Sequence, residues 1–580
     1  MDTPTRRFHS STREPGCEEK SVPSRSSPAD TPRSLVASIF GMALSFTALA
    51  QVPASGDMKA SQLVAPGSPA YFAARYRHVM RCPLAAKVFN QPFPPSVAQF
   101  ETDPDPQGEI GSYQPDGPTD TASNAFFLPL GTNGRSCFTC HQPASGMSIS
   151  VKGIDERFHQ SGLRDPLFAP VDGATCPKNV PASDTQGSPV GGHKGKGRMS
   201  LSSAYATLLQ RGLIRLSIPV NAPPRAPNSA PTTEFTIDVV SDPYGCNTDP
   251  QFNQDEVDGT PVMDPDTGKP LQIISIYRRP RMTGSLNFAV TAFDFPGPPT
   301  NPAPAAQSGN IMWDGREPNL ASQVQDAILA HEQATVLPTA AQLQQIIDFE
   351  TGIFSAQVAG PHSLSLTDLA LAGPIVLSSE APGQRAPTFA LSSVWLDPPK
   401  TLSDKSERQS IARGEALFNT RSFQISNNAG FNALPTPAKS AGAVTGTCSS
   451  CHSQRFSGNS LFTRAQMDGG IGGTSAKFGG PAPSTFLPIF KFTCKPGVTL
   501  GFHGATILTN DPGLALITGK CADVGRLTVP QLRGLAARAP YFSDGSAATL
   551  LDVVDFYDKR YQIRFTSREK DDLVRFLNSL

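Results

Sequence analysis

The sequence lacks any excess of charge, and it is poor in tryptophan. Lysine and arginine together count 49, as do aspartate and glutamate, so the formal net charge is zero. Such a chain offers no broad basic face to a phosphate backbone, which argues against nucleic acid as a partner. Only 2 of the 580 residues are tryptophan, whereas 56 are proline. That much proline predicts many irregular loops, and the length predicts two or three domains.

Long apolar runs are also absent after residue 50, so no membrane span is expected in the mature protein. The one apolar run, at 35–50, follows Arg25 and Arg33 and ends in small residues. It is typical of a cleaved secretory signal, because it is shorter than the about 20 residues that span a bilayer. The alternatives are a membrane anchor and, from the Arg6-Arg7 pair, export by the twin-arginine route. Residues 1–50 are therefore predicted to be a signal peptide, and the protein to be periplasmic or secreted.

Ten cysteines are present, and an oxidising compartment favours disulfides among those without another role. Four of them lie in two copies of one pattern. The copies are Cys137-Phe-Thr-Cys140-His141 and Cys448-Ser-Ser-Cys451-His452. Two disulfides are predicted among the others, Cys176 with Cys246 and Cys494 with Cys521. Cys82 is then expected to be buried and reduced.

The Cys-x-x-Cys-His pattern has a definite chemical reason. Two thiols one helical turn apart can each add to one vinyl group of a haem, and the next residue presents its imidazole to the iron. The alternatives are a thioredoxin-like redox pair or half of a zinc site. Zinc would require a second Cys/His pair nearby in the chain, and neither motif has one. The two copies therefore predict two covalently bound haem c groups, with His141 and His452 as axial iron ligands.

The wide separation of the motifs predicts a divergent internal duplication, in which each motif nucleates its own helical unit. The expected fold is mainly α, with two cytochrome c-like haem domains at 51–400 and 401–580. A loop-rich insertion with short β-strands is expected in the first domain at about 160–277, where proline and glycine are frequent. Periodicity predicts helices at 319–332, 339–357, 410–418, 549–557 and 567–580, and strands at 235–240 and 271–277.

Several segments outside the haem motifs resemble the bacterial di-haem cytochrome c peroxidase family, which includes the MauG-type enzymes. They are Met312-Trp313-Asp314-Gly315-Arg316-Glu317 and the segments 529–534, 539–545 and 549–557. Together they cover both haem units but not the insertion. One departure is plain, because Ser543 stands where many members of the family have histidine. This difference weakens any expectation that protons or electrons are delivered through the residue at this position.

The resemblance implies roles near the haem on His141, which would be the open and reactive one. Trp313 takes the place of a tryptophan that relays electrons between the haems, and a buried structural tryptophan is the alternative. Gln323 takes the place of a glutamine that assists cleavage of peroxide. Glu332 is about one residue out of register with the family's glutamate and is alternatively a surface carboxylate. The neighbouring His331 is a candidate base or sixth ligand.

For the haem on His452, the resemblance implies that Tyr557 is the second axial ligand. Peroxidases have a methionine at that place, and MauG-type members have a tyrosine. A phenolate would favour ferric iron, whereas a thioether would favour ferrous iron. His503 and Met467 are competing ligands, and a tyrosine that only packs on the haem edge is the remaining alternative.

A calcium ion is a further cofactor that the resemblance implies. Family members hold this ion between their haem domains through an asparagine side chain and backbone carbonyl groups. The nearest matches here are Asn287, Arg538 and Pro540. The segment with Asn287 is soon followed by a proline-rich stretch at 296–304, which departs from the family pattern.

The function that these features favour is reduction of hydrogen peroxide at the His141 haem, with electrons that pass through Trp313 from the His452 haem. A small periplasmic cytochrome c or cupredoxin is the expected donor. The first alternative, to which Tyr557 points, is a MauG-like oxidase acting on a protein or an organic molecule. The others are a non-catalytic electron carrier and an oxygen-inserting enzyme of the rubber oxygenase kind. Gln323 argues against a carrier, because a carrier gains nothing from polar groups beside an open iron.

Overall fold

Eleven α-helices lie in the part of the chain that the structure, a computed structural model, describes. That part consists of residues 94–180, 201–222, 229–248, 268–291, 311–368, 373–383, 386–432, 442–460, 466–498 and 501–580. All of it belongs to one compact unit. The helices are α1 (Val151–Ser161), α2 (Leu201–Ala204), α3 (Ala206–Arg211), α4 (Leu286–Ala289), α5 (Leu320–His331), α6 (Ala340–Gly352), α7 (Pro374–Ser378), α8 (Lys405–Thr420), α9 (Ala515–Thr518), α10 (Leu550–Tyr561) and α11 (Ser567–Asn578). The predicted signal peptide and Cys82 lie outside the described residues.

Thirteen strands accompany these helices in the described ranges. They are β1 (Ser96–Val97), β2 (Phe100–Asp105), β3 (Gly108–Tyr113), β4 (Thr119–Asp120), β5 (Ile214–Pro219), β6 (Phe235–Ser241), β7 (Ile273–Arg278), β8 (Phe354–Gly360), β9 (Leu364–Ser365), β10 (Phe423–Ile425), β11 (Val444–Gly446), β12 (Ile489–Cys494) and β13 (Thr506–Thr509). The prediction of a mainly α fold with two cytochrome c-like haem domains is therefore wrong. Many strands lie outside the predicted insertion. Among them, β3 and β8 contain glycine and are extended because they pair with each other across a long stretch of the chain.

The strands form five small antiparallel sheets. Their orders are β2-β3-β8-β9, β13-β12-β6, β1-β4, β5-β7 and β10-β11. In the three-stranded sheet, Phe235 and Ile237 of β6 share a core with Phe490 and Phe492 of β12. This sheet joins a strand of the predicted insertion to strands near the end of the chain. The division of the chain into domains at residue 400 stays a prediction.

The last three long helices pack on one another around a second core. α8, α10 and α11 surround a cluster that includes Trp395 and Phe576, both fully buried. α8 and α11 come close together at Gly414, where an added Cβ would lie 2.0 Å from the carbonyl oxygen of Asp572. The packing of these two helices therefore requires a residue without a side chain at position 414.

Local capping explains why two of these helices begin where they do. Thr549 and Asp552 form a capping box at the start of α10, and Thr566 and Glu569 form one at the start of α11. Each box satisfies backbone N–H groups that have no partner within the helix. The helices predicted at 410–418, 549–557 and 567–580 are confirmed.

The helix predicted at 339–357 is too long. α6 ends at Gly352, and the chain continues as strand β8 from Phe354. The apolar spacing of a helix runs on through Phe354, but the pairing of β8 with β3 stabilises an extended backbone there. The helix predicted at 319–332 is confirmed by α5, and the strands predicted at 235–240 and 271–277 are confirmed by β6 and β7.

Both predicted disulfides are present. Cys176 is bonded to Cys246, and Cys494 at the end of β12 is bonded to Cys521, shortly after α9. They close sequence separations of 70 and 27 residues. Of the helices in the described ranges, none has both the length and the apolar character needed to reach across a membrane.

Candidate functional site

The two Cys-x-x-Cys-His motifs adopt the same local backbone. A single 3₁₀ turn begins at the first cysteine of each, over Cys137–Thr139 and over Cys448–Ser450. In each turn the backbone N–H of the motif histidine donates to the carbonyl oxygen of the first cysteine, at 3.1 Å for His141 and 3.0 Å for His452. All four motif cysteines are free thiols. The repeat in the sequence is therefore also a structural repeat, with two thiols and an imidazole held in one arrangement.

Each motif histidine is anchored through the same ring nitrogen. Nδ1 of His141 lies 3.1 Å from the carbonyl oxygen of Met147, and Nδ1 of His452 lies 2.8 Å from the carbonyl oxygen of Gly458. A neutral imidazole that donates from Nδ1 keeps the lone pair of Nε2 for a metal. Burial lowers the pKa of His141 to about 4 and also lowers the pKa of His452. Both imidazoles are therefore neutral at neutral pH.

The motif thiols are not activated as a redox pair would be. Burial raises the pKa of Cys140 to about 11 and the pKa of Cys448 and Cys451 to about 12. It also raises the pKa of Cys137 well above the usual range for a thiol. A thioredoxin-like pair requires the opposite, a thiol with a lowered pKa. The thiol environment thus disfavours that alternative.

A cavity of about 220 Å³ lies beside the second motif. Cys448, Cys451 and His452 line it, and most of the remaining wall is apolar. The wall also contains five residues singled out from the sequence, Trp313, Met467, Arg538, Pro540 and Tyr557. An apolar cavity with two thiols and an available imidazole nitrogen fits a covalently attached haem.

Trp313 is half-buried and is fixed in the cavity wall through its indole N–H. Nε1 donates a hydrogen bond of 2.7 Å to the carbonyl oxygen of Arg279. The guanidinium of Arg281 lies over the indole, 5.5 Å from the ring centroid. Beside it, Asp314 is ion-paired with Arg278 at 2.5 Å and Arg316 at 3.1 Å. Burial alone would raise the pKa of Asp314, but the two guanidinium groups lower it to about 2.

The turn that carries Trp313 has a counterpart in the second half of the chain. A bridge between Ile311 and Glu317 closes the first turn, and a bridge between Tyr541 and Ala547 closes the second. α5 follows the first turn and α10 follows the second, each with 12 residues. Ser543 occupies the same position in the second turn as Trp313 does in the first, and Ser543 is fully buried.

Tyr557 reaches this cavity from α10. Its ring stacks on Tyr561 with 6.2 Å between centroids and 2° between planes. Burial raises the pKa of Tyr557 well above its ordinary range, so the phenol is neutral. The lining residues in the described part of the chain include Met467 but not His503, whose Nε2 lies 2.8 Å from Asp468 Oδ2. Tyr557 and Met467 thus share the cavity with the motif, and the choice of axial ligand stays a prediction.

Buried carboxyl groups lie near the first motif. Oε1 of Glu332 is 3.9 Å from Cys137 Sγ, and its Oε2 accepts a hydrogen bond of 2.9 Å from the backbone N–H of Leu130. Glu332 is 3% exposed, which excludes a surface carboxylate. Burial raises the pKa of Glu332 and of Glu350 to about 8, so both groups are protonated at neutral pH.

The side chain of His331 is fixed by a carboxylate, whereas that of Gln323 is not fixed by a hydrogen bond to a described residue. Nδ1 of His331 lies 2.6 Å from Asp172 Oδ2, and Asp172 is ion-paired with Arg135. Burial is the main cause of the lowered pKa of His141, and His331 contributes to it electrostatically. The two imidazoles are therefore close to each other. Gln323 is half-buried on α5, and its side chain makes no hydrogen bond to another described residue.

The residues matched to a calcium site do not fit that ion. The carbonyl oxygen of Arg538 accepts a hydrogen bond of 2.9 Å from the guanidinium of Arg279, which also donates to Ile149 at 2.5 Å and Arg211 at 3.0 Å. A side-chain cation therefore already binds the carbonyl group. Asn287 is not among the described residues that line the cavity, and its Oδ1 accepts a hydrogen bond of 2.9 Å from the next backbone N–H.

Sequence reasoning missed the arginines of the cavity wall and the second buried glutamate. Arg279 and Arg281 belong to the run Arg278-Arg279-Pro280-Arg281, which directly follows a predicted strand. Three arginines at the end of an apolar strand were the available signal. Glu350 lies one helical turn after Ile346 on the apolar face of α6, which was a signal of burial.

No protein-family model matches this chain. Among curated proteins, it is similar to the cytochrome-c peroxidase IdrP1 of Pseudomonas sp. (strain SCT), with 33% identity over 81 residues. The match covers 12% of this chain and 21% of that protein, so the chain spans about a fifth of the length of this relative. This similarity supports a cytochrome c peroxidase-like family at most.

Proposed function

We propose that the chain is a peroxidase-like oxidoreductase that carries haem c at both Cys-x-x-Cys-His motifs. The observation that carries this proposal is the repeated set of two free thiols and an imidazole whose Nδ1 is held by a backbone carbonyl group. Covalent haem attachment is the chemistry that needs all three groups in this order. The similarity to a cytochrome-c peroxidase supports hydrogen peroxide as the substrate.

When bound, the haem groups supply redox-active iron. The motif thiols would hold them by thioether bonds, and His141 and His452 would bind the iron through Nε2. Reduction of hydrogen peroxide to two water molecules consumes two electrons and two protons. The remaining residues of the site must therefore conduct electrons from a donor and supply protons at the reactive haem.

Trp313 is the proposed electron path between the two motifs. It lines the cavity of the second motif, and its indole N–H is bonded to the carbonyl oxygen of Arg279. The guanidinium of Arg279 donates to the carbonyl oxygen of Ile149, close in the chain to the Met147 carbonyl group that anchors His141. The indole thus lies on a bonded path from the cavity to the first motif.

Glu332 and His331 are the proposed proton carriers at the first motif, with Gln323 as the residue that binds peroxide. A carboxyl group with a pKa of about 8 holds a proton at neutral pH and can donate it to a leaving oxygen. Asp172 accepts a hydrogen bond from His331 and so orients that imidazole. Burial of Glu332 beside Cys137 supports this assignment of roles.

A MauG-like oxidase, acting on a protein or an organic substrate, is the second candidate. Tyr557 favours it, because a tyrosine in the cavity of the second motif is the residue that distinguishes such an enzyme from a peroxidase with a methionine ligand. Tyr561, stacked on Tyr557, adds a second oxidisable ring. Met467 in the same cavity favours the peroxidase.

The proposed setting is the periplasm or the exterior of the cell. Two disulfides support an oxidising compartment, and haem attachment of this type requires export. A small cytochrome c or cupredoxin is the proposed electron donor.

Haem content tests the proposal directly. The full chain is produced in a bacterial host that attaches haem to exported proteins, and covalent haem is counted from the pyridine haemochrome spectrum. The wild type is expected to carry two haems, and the double variants C137S/C140S and C448S/C451S are each expected to lose one. C176S/C246S is the matched control, since it removes two cysteines but leaves both motifs intact.

Spectroscopy with peroxide then separates the candidate functions. We expect a high-spin EPR signal in the protein that disappears when peroxide is added, and peroxide turnover with a reduced cytochrome c. A chain without covalent haem, or two low-spin haems inert to peroxide, would overturn the proposal. A long-lived oxidised state that is lost in Y557F would favour the oxidase over the peroxidase.

A further inference from the structure

The cavity beside the second motif has a positively charged part. Arg279, Arg281 and Arg538 line it, and no aspartate or glutamate is found among the described residues of its wall. Most of the other lining groups are apolar. Buried charges are normally paired, because removing a charge from water is costly. The composition of the wall therefore indicates a site for an anion.

The guanidinium of Arg538 lies near enough to those of Arg279 and Arg281 for its charge to lower the pKa of both. Burial, together with the smaller effect of the charge of Arg538, lowers the pKa of Arg279 to about 9 and that of Arg281 to about 10. Burial lowers the pKa of Arg538 itself to about 10. All three groups stay charged at neutral pH, so the repulsion of Arg279 and Arg281 by Arg538 is present in the folded protein. An anion between them would relieve it.

The existing partners of Arg279 and Arg538 do not neutralise them. Arg279 donates to three backbone carbonyl oxygens, and Nη2 of Arg538 donates to the carbonyl oxygen of Gln531 at 2.5 Å. Nε of Arg538 is buried and has no hydrogen-bond partner among the described residues. Neither arginine forms an ion pair within that part of the chain, and Asp314 is held by two other guanidinium groups.

We infer that Arg538 and Arg279 bind the carboxylate groups of the haem attached at Cys448 and Cys451, an inference that rests on the proposed function. A haem carries its vinyl groups and its two carboxylates on different edges. A haem attached through the cysteines therefore presents its carboxylates to another part of the wall. Charged hydrogen bonds from guanidinium are among the strongest that a carboxylate can accept. Arg279 would then be in contact with both the carboxylates and Trp313, whose indole N–H donates to its carbonyl oxygen.

The variant R538M tests this inference, because it removes the charge and keeps an unbranched side chain. Without the guanidinium, the carboxylates favour ferric over ferrous iron more strongly, so the midpoint potential of the His452 haem should fall. The expected change is about tenfold in the one-electron reduction equilibrium, which is 59 mV. The pKa of the carboxylates should also rise, so the potential becomes pH-dependent nearer to neutrality. Spectroelectrochemical titration at several pH values measures both effects.

R575M is the matched control, since it removes the same charge from an exposed arginine of α11. R279M is a second test, and R538K should retain most of the wild-type potential. Covalent haem is counted first in every variant. If haem is attached but R538M and R279M behave like R575M, the role of the two arginines is overturned and the proposed function stands. If the wild type carries no haem, the proposed function fails.

A measurement on the wild type covers the case in which neither arginine variant folds. Redox-difference infrared spectra are recorded with haem that is isotope-labelled at its carboxylates. Carboxylates paired with guanidinium should remain ionised in mildly acidic as well as neutral buffer. A labelled band of protonated carboxyl at neutral pH would contradict the inference.

Discussion

Among single residues, Glu350 is a clear source of pH-dependent stability. It is 4% exposed, its Oε2 has no hydrogen-bond partner in the described part of the chain, and burial raises its pKa to about 8. Glutamate in an unfolded chain has a pKa of about 4.3, so between these values the folded protein holds a proton that the unfolded chain has lost. The contribution to stability is full below the unfolded pKa and is lost as the pH rises through about 8.

The variant E350Q keeps the size of this side chain and removes its ionisation. Below about pH 5 it should unfold at nearly the same urea concentration as the wild type, because both side chains are then neutral. Above about pH 8 it should be more stable, by roughly 2 kcal/mol or more, because it has no proton to lose. E156Q, at an exposed glutamate of α1, should show no such divergence. Identical urea midpoints for E350Q and the wild type at alkaline pH would show that Glu350 does not make stability pH-dependent.

The sequence predicts a residue well when the chemistry fixes its spacing. The two motifs form the same local turn, and both predicted disulfides are present. The role of the motif cysteines and histidines in binding haem stays a prediction. The surroundings of Glu332 and Arg279 were not predictable, because distant segments create them. The partner of Glu332 is the backbone N–H of Leu130, and Arg279 binds carbonyl groups from three separate parts of the chain.

At the scale of elements, the contact between α8 and α11 predicts a strong effect of one methyl group. In G414A the new Cβ would lie 2.0 Å from the Asp572 carbonyl oxygen, so the helices must separate. We expect a loss of about 2–3 kcal/mol in the free energy of unfolding. G352A is the control, since an added Cβ there meets nothing within 4 Å. Urea unfolding should show G352A to be as stable as the wild type or up to about 1 kcal/mol more stable. Equal urea midpoints for G414A and G352A would contradict the close contact between the helices.

Elements were predictable where their signals are local. The capping threonines Thr549 and Thr566 lie within four residues of the groups they satisfy, and the helices that follow them were found. The first residues of β8 were assigned to a helix because Phe354 fits a helical period, whereas the strand partner of β8, β3, lies far earlier in the chain. The error in fold class has in part the same origin, since β3 and β12 also pair with strands that lie far away in the chain.

For the whole molecule, the contacts of Arg279 predict that stability does not depend on calcium. The guanidinium joins the Arg538, Ile149 and Arg211 carbonyl groups and so connects three segments without a metal ion. Treatment with a chelator should leave the thermal midpoint unchanged, and elemental analysis should find no stoichiometric calcium. R279Q should lower the midpoint, because it removes the charge that holds the segments together. A bound calcium ion whose removal lowers the midpoint would contradict this prediction.

The sheet β13-β12-β6 has a consequence for the order in which the chain can fold. During synthesis, Phe235–Ser241 is made long before Ile489–Cys494, the neighbour with which it pairs. Until then the apolar side chains of β6 have no aromatic partners and its edge is open, which slows folding and invites aggregation. A fragment that stops before residue 489 would keep the first motif but not the sheet. The first half of the chain therefore obtains part of its stability from the second, and the two should unfold together.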